Sequence, residues 1–224
     1  MTRILLFSVT MLLLAGCVSV PFPPEAARPV PRGVGAAQLA AGSWRGQPGV
    51  FLLEQRAEFD FHGRKLEMRG MMKLDMPEGR ARLVAVDDLG IKLFDLTVTR
   101  GGQTLHDELP QLAKYPQLAQ GVAASVRRIF LVPRPEAGDR ERAGATHYLL
   151  SRSWKGGELT FTFGGPKLDL QRVRASGGGR RWQVDYYQYH RQKGLTYPGG
   201  IVLSDNLAGY RLTLWLDSMR RTDE

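Results

Sequence analysis

From Phe51 onward the chain alternates. Phe51, Leu53, Ala57, Phe59 and Phe61 fall on one face of an extended segment, and Glu54, Arg56, Glu58 and Asp60 fall on the other. A period of two describes a strand with one face in a core and one in water. His62-Gly63 predicts a turn, and the next run alternates in the same way. Leu66, Met68, Gly70, Met72, Leu74 and Met76 point inward, and Lys65, Glu67, Arg69, Lys73 and Asp75 point outward. After the turn at Pro77-Glu78-Gly79, strands are predicted at 80–87 and 91–99, joined at Asp88-Leu89-Gly90. A short strand follows near Gln103–His106. The period then switches once. Tyr115, Leu118, Val122, Val126 and Ile129 recur at spacings of three and four, which is helical. Pro116 suits a first helical turn, and Pro133 cannot continue the helix. Residues 133–145 read as a polar loop.

Strands return at 146–154, 158–163, 167–175, 180–190, 200–204 and 210–219, with glycine turns between several of them. The pattern predicts about ten or eleven strands around one central helix. Connections this short make antiparallel meanders. So many strands with one apolar face each should curl into a barrel or strongly bent sheet, with the helix over its open end or interior.

The start of the chain follows a different rule. Met1-Thr2-Arg3 is a short basic start, Ile4–Leu14 is almost unbroken apolar sequence, and small residues lead into Cys17. That order describes an export signal, and the apolar run is shorter than the roughly 20 residues of a membrane span. Leu14-Ala15-Gly16-Cys17 resembles the lipobox of bacterial lipoproteins, and Cys17 is the only cysteine in the chain. The resemblance implies that Cys17 is lipidated and that residues 1–16 are removed. The other reading is a plain secretory signal followed by a buried cysteine. Two or more acyl chains hold a protein stably on a bilayer. Between Val18 and Pro31 lie five prolines, so residues 17–45 read as a lipidated N-terminus and flexible tether, and residues 46–224 as the folded domain. A short helical turn near Ala36–Ala41 marks where folding begins. With a lone cysteine no internal disulfide can form, so the core alone must hold the fold.

Charge narrows the partners. The chain has 31 basic and 22 acidic residues, a net charge of +9, and loses only Arg3 with the signal. For an exported chain this excess points to acidic lipid head groups or an acidic protein partner rather than nucleic acid. It reads equally as a solvated face, because the arginines are scattered in pairs. Catalytic patterns are sparse. His62, His106, His147 and His190 are far apart and lack metal-ligand spacing, and the glycine run 176–179 lies between strands rather than before a helix. Asp87 and Asp88 would point to opposite faces of a strand, which makes a turn their better role. No catalytic residue, metal ligand or cofactor is expected. The feature that stands out is apolar lining. Met68, Met72, Leu74, Phe161, Phe163, Trp182 and Tyr186 could line a cavity for acyl chains, methionine adapting to irregular shapes. An ordinary packed core is the alternative.

The run Arg82–Leu96, and the ending Tyr197–Asp205 followed by Gly209–Leu214, resemble segments of LolB-like outer-membrane lipoproteins. More closely, the chain is similar to a family of bacterial outer-membrane lipoproteins placed in the LolA/LolB fold group, some of them encoded beside fatty-acid-like (aryl polyene) biosynthesis genes. The resemblance covers about residues 45–219. It implies an unclosed antiparallel β-barrel with helix as lid or plug, and an apolar interior that accepts acyl chains. It implies a non-enzymatic function: binding an acyl chain, lipid or acylated protein and passing it to the outer membrane. Leu89 matches the place of an apolar loop residue that touches the membrane in LolB-like proteins, although it also reads as a normal hairpin residue. The residues after Cys17 are Val18 and Ser19 rather than the aspartate that resembles an inner-membrane retention signal. This favours the outer membrane, lipid-anchored, with the domain facing the periplasm. The alternative function is a structural or assembly lipoprotein whose solid core presents a basic surface to a partner.

Overall fold

A computed structural model describes residues 20–222. Twelve strands form one antiparallel sheet: β1 (Val50–Phe61), β2 (Arg64–Asp75), β3 (Arg80–Val86), β4 (Lys92–Thr99), β5 (Gln103–Glu108), β6 (Arg140–Ala143), β7 (His147–Trp154), β8 (Gly157–Gly164), β9 (Asp169–Gly177), β10 (Arg180–Gln192), β11 (Leu195–Asp205) and β12 (Tyr210–Arg221). Helix α1 spans Ala36–Gly42 and runs into a single 3₁₀ turn at Trp44–Gly46. Helix α2 spans Pro116–Val126 and continues as a π-helical turn over Arg127–Leu131, ending before Pro133 as the sequence predicts.

The sheet order is β5-β4-β3-β2-β1-β12-β11-β10-β9-β8-β7-β6. The chain thus makes one meander outward from β1, crosses by α2 to the far edge, and meanders back until β12 closes against β1. The end strands β5 and β6 do not pair, so the barrel is unclosed. Both edges are polar. β5 carries His106, Asp107 and Glu108, and β6 carries Arg140, Glu141 and Arg142. Charged edges resist pairing with further strands.

Alternation places the core where the sequence predicts it. Phe51, Leu53, Ala57 and Phe59 of β1, and Met68, Met72, Leu74 and Met76 of β2 with the turn that follows, are buried in one hydrophobic cluster. Met71 is 52% exposed on the outer face, and Phe61 lies half-exposed at the β1–β2 turn. The twelfth strand is β6, inside the segment 133–145 read as loop, and β11 starts five residues earlier than its predicted start at Gly200. The second difference lies in pairing, because Leu195, Thr196, Tyr197 and Pro198 already pair with β10, and the glycine that follows has a packing role. A Cβ at Gly200 would sit 2.6 Å from the ring of Phe22, so this strand needs glycine where the N-terminal segment lies across it.

That segment, read as a tether, runs along the protein. Phe22 is buried, stacked on Tyr187 at 5.3 Å and tilted against Trp215 at 5.7 Å. The Tyr148 hydroxyl donates to the Pro31 carbonyl at 2.9 Å, and the Val30 amide donates to the Ala145 carbonyl at 3.2 Å. Leu39 of α1 and Trp44 enter the core.

Candidate functional site

Helix α2 lies across the concave face of the sheet. Val122, Ala123, Val126, Ile129, Phe130 and Leu131 are buried against it. Polar contacts hold the helix and its π-helical turn as well: Arg127 donates to the Thr99 carbonyl at 2.9 Å, the Gly102 carbonyl at 2.7 Å and Gln103 Oε1 at 2.8 Å. The Ser125 and Tyr210 hydroxyls are hydrogen-bonded at 3.0 Å. Arg128 pairs with Asp205 at 2.6 Å, donates to the Tyr210 hydroxyl at 3.1 Å, and lies over the Trp182 ring at 5.2 Å. The Tyr186 hydroxyl donates to the Ile129 carbonyl at 3.2 Å. Burial raises the pKa of Tyr210 and Tyr186 above the ordinary phenol value, which keeps both as neutral donors.

Beneath α2 is an apolar cavity of about 30 Å³, lined by side chains that include Gln55, Phe59, Met68, Val122, Ile129 and Phe130. Of the predicted lining residues, Met68 borders this cavity. Met72, Leu74, Phe161, Phe163, Trp182 and Tyr186 are buried in the same core but pack away from it. Trp182 meets Trp154 edge-on at 6.1 Å, and the Phe161 ring lies under Arg152 at 5.4 Å.

Leu89 is 84% exposed at the tip of the β3–β4 hairpin. Asp87 builds that tip: its Oδ1 accepts from the Leu89 amide at 2.9 Å and the Ile91 amide at 2.8 Å. Gly90 takes the left-handed conformation (φ 81°) that the turn needs. Strand direction puts the β1–β2 and β11–β12 tips at the same end. They touch, because a Cβ at Gly209 would lie 2.5 Å from the His62 ring. Phe61, Ile91 and Leu207 are also exposed at these three tips. Cys17 lies outside the described residues. Among the described residues, no group of three or more His, Cys, Asp or Glu side chains could hold a metal ion. Among them, no helix is long and apolar enough to cross a membrane.

Sequence reasoning missed Arg45. It lies in the 3₁₀ turn after α1, in the segment read as tether, and is completely buried. Among the described residues, none provides a hydrogen-bond acceptor to any of its three guanidinium nitrogens. The Tyr186 phenol sits close enough to favour the cation, but its oxygen does not meet the geometry of a full hydrogen bond to the guanidinium. Burial lowers the Arg45 pKa from the ordinary arginine value. A lone arginine beside a Pro- and Gly-rich run carries no local sign of burial.

No protein-family model matches the chain, and no curated protein matches it in sequence. Solved structures do resemble it. A LolA superfamily protein from Nitrosomonas europaea aligns with a TM-score of 0.57 at 12% identity, over 86% of this chain and 96% of that one. A putative outer-membrane lipoprotein-sorting protein domain from Vibrio parahaemolyticus aligns with a TM-score of 0.52 at 9% identity, over 83% and 89%. One unclosed antiparallel sheet of twelve strands, with a helix across its concave face, gives this chain the LolA-like fold.

Proposed function

We propose that the protein is a lipid-anchored outer-membrane lipoprotein, held by Cys17 with its domain in the periplasm. It takes an acyl chain, as a lipid or an acylated protein, between the concave face and α2, and passes it to the outer membrane. Leu89 is the proposed membrane contact. We read the protein as a carrier rather than an enzyme. The observation that carries the proposal is the concave face itself: it is apolar, belongs to a single open sheet, and is covered by one helix over an apolar cavity. The likeness in fold to LolA-superfamily and lipoprotein-sorting proteins supports the same reading.

The cavity of about 30 Å³ holds one or two waters and is far below the roughly 300 Å³ at which ligand pockets begin. Uptake of an acyl chain therefore requires α2 to move off the sheet. That exposes apolar side chains, and each methylene buried by the ligand returns about 0.8 kcal/mol. A long chain can substitute for the helix in covering the face.

The test uses the chain from Val18 onward, which keeps every described residue and lacks the anchor. Mass spectrometry of the purified protein should find copurifying lipid, and an apolar fluorescent probe should bind and be displaced by fatty acids. A second reading is favoured by the complete burial of Met72, Leu74, Phe161 and Phe163. There the core stays solid and the basic surface docks an acidic partner. Absence of both lipid and probe uptake supports that second reading.

A further inference from the structure

Among the described residues, six buried side-chain nitrogen and oxygen atoms have no hydrogen-bond partner, and five of them belong to the consecutive residues Ser43, Trp44 and Arg45. The sixth is Gln55 Oε1 at the cavity. Buried polar groups are normally partnered, and arginine is almost never fully buried without a counter-ion. The five atoms share a chemical character. A hydroxyl, an indole N–H and a guanidinium together supply donors and one full positive charge. What the cluster lacks is an acceptor with negative charge.

Among the described residues, none supplies one to Arg45. Tyr186 and Tyr189 face Arg45, and burial holds both phenols neutral. The Tyr189 hydroxyl donates to the Leu170 carbonyl at 2.5 Å, and as a neutral phenol it brings no negative charge to the cluster. The next charge is a second cation. Arg134, half-buried, repels Arg45 and forms no ion pair among the described residues. It donates instead to the Leu131 carbonyl at 3.0 Å, where the helical segment ends. Two arginines without a carboxylate partner among the described residues thus lie near enough to repel, close to where that segment stops. One side chain lies between the cluster and the cavity. Phe130 lines the cavity and meets the Trp44 ring edge-on at 6.1 Å.

We infer that Arg45 is the receptor for the anionic head group of an acyl ligand, a carboxylate or a phosphate, with Ser43 Oγ and Trp44 Nε1 as further donors and the chain lying beneath α2. This rests on the acyl-binding reading and sharpens it to anionic amphiphiles. Without ligand, the buried cation is a standing cost, which a ligand that brings the missing charge removes.

The experiment measures binding of pairs matched in chain length to the chain from Val18 onward: palmitate against hexadecanol, and lysophosphatidic acid against monoacylglycerol. The anionic member should bind about tenfold tighter or better, as a charge-assisted hydrogen bond would give. The pair with the larger ratio identifies carboxylate or phosphate as the group. In Arg45→Met the ratio should fall to about one while binding of the neutral member persists. Its melting temperature should equal or exceed that of the wild type, because an unpaired buried cation has been replaced by an apolar side chain. Arg45→Lys should keep part of the preference. Equal binding of neutral and anionic members by the wild type overturns this inference and leaves acyl binding standing. So does an undiminished ratio in Arg45→Met. Binding of neither member removes the acyl reading, and this inference with it. The wild-type comparison needs no variant to fold.

Discussion

Asp95 and Asp169 are each paired with an arginine, yet their environments push them in opposite directions. Asp95 accepts from Arg82 twice, Nε to Oδ1 at 3.0 Å and Nη2 to Oδ2 at 2.7 Å, and this hydrogen bonding holds its carboxyl below the usual range. For Asp169 burial is the larger effect and raises the carboxyl, although Arg191 pairs with it. The signs for stability follow. A depressed carboxyl binds fewer protons folded than unfolded, so its contribution is present above the unfolded value, about 3.9, and is lost as pH falls through the folded value. A raised carboxyl behaves oppositely: its contribution is complete below about 3.9 and is lost as pH rises through the folded value. Asp95→Asn should therefore lower stability modestly at pH 7, with the gap to wild type closing below about pH 4. Urea unfolding of both proteins at pH 7 and pH 3 checks this. A gap that stays the same would mean that Asp95 contributes through packing rather than charge.

Among the elements, α2 is the one that covers the concave face. Asp205 joins it to the sheet. Its Oδ2 accepts from Arg128, and its Oδ1 accepts from the Leu207 and Ala208 amides at 3.0 Å each, which shapes the β11–β12 turn. Asp205→Ala removes both functions and leaves Arg128 unpaired, and should cost about 3–5 kcal/mol. Arg128→Met keeps the turn, because Asp205 retains two amide donors, and should cost less, about 1–3 kcal/mol. Urea midpoints that rank the two variants the other way would show that the turn, not the helix clamp, is dispensable. The helix itself is readable from spacing alone, since Val122, Val126 and Ile129 recur as an apolar stripe and all three are buried. The long hairpins are readable for the same reason. β6 is not, because Arg140–Ala143 are all exposed and offer no alternation to detect. The start of β11 is hidden by Pro198-Gly199-Gly200, which reads as a turn until Phe22 is known to press on Gly200. Arg45 is the extreme case, since the groups that face it, Tyr186 and Tyr189, are distant in sequence. Local pattern can report periodicity and turn chemistry, but it cannot report which remote segment covers a position.

Over the whole molecule, the two ends of the sheet differ. Arg45 lies just before β1, and the exposed tips lie at the other end of that strand, about 36 Å away for 12 residues at roughly 3 Å each. A ligand whose head group sits at Arg45 would direct its chain toward the end that carries Leu89, Ile91, Phe61 and Leu207. Apolar tips at that end, on a domain with net positive charge, suit an anionic membrane surface. Leu89 is the sharpest place to test this. At 84% exposure it contributes little packing, and its turn is held by Asp87 and Gly90. Leu89→Glu should therefore change stability by no more than about 0.5 kcal/mol. It should nevertheless weaken flotation of the chain from Val18 onward with anionic liposomes, since an apolar anchor is lost and a negative charge is added beside anionic head groups. Transfer of bound lipid to those liposomes should fall with it. If Leu89 were instead part of the core, the glutamate would bury an unpaired charge and the melting temperature would drop sharply. Melting and flotation measured on the same variant separate these outcomes. A folded Leu89→Glu protein with undiminished flotation and transfer would exclude this hairpin tip as the membrane contact.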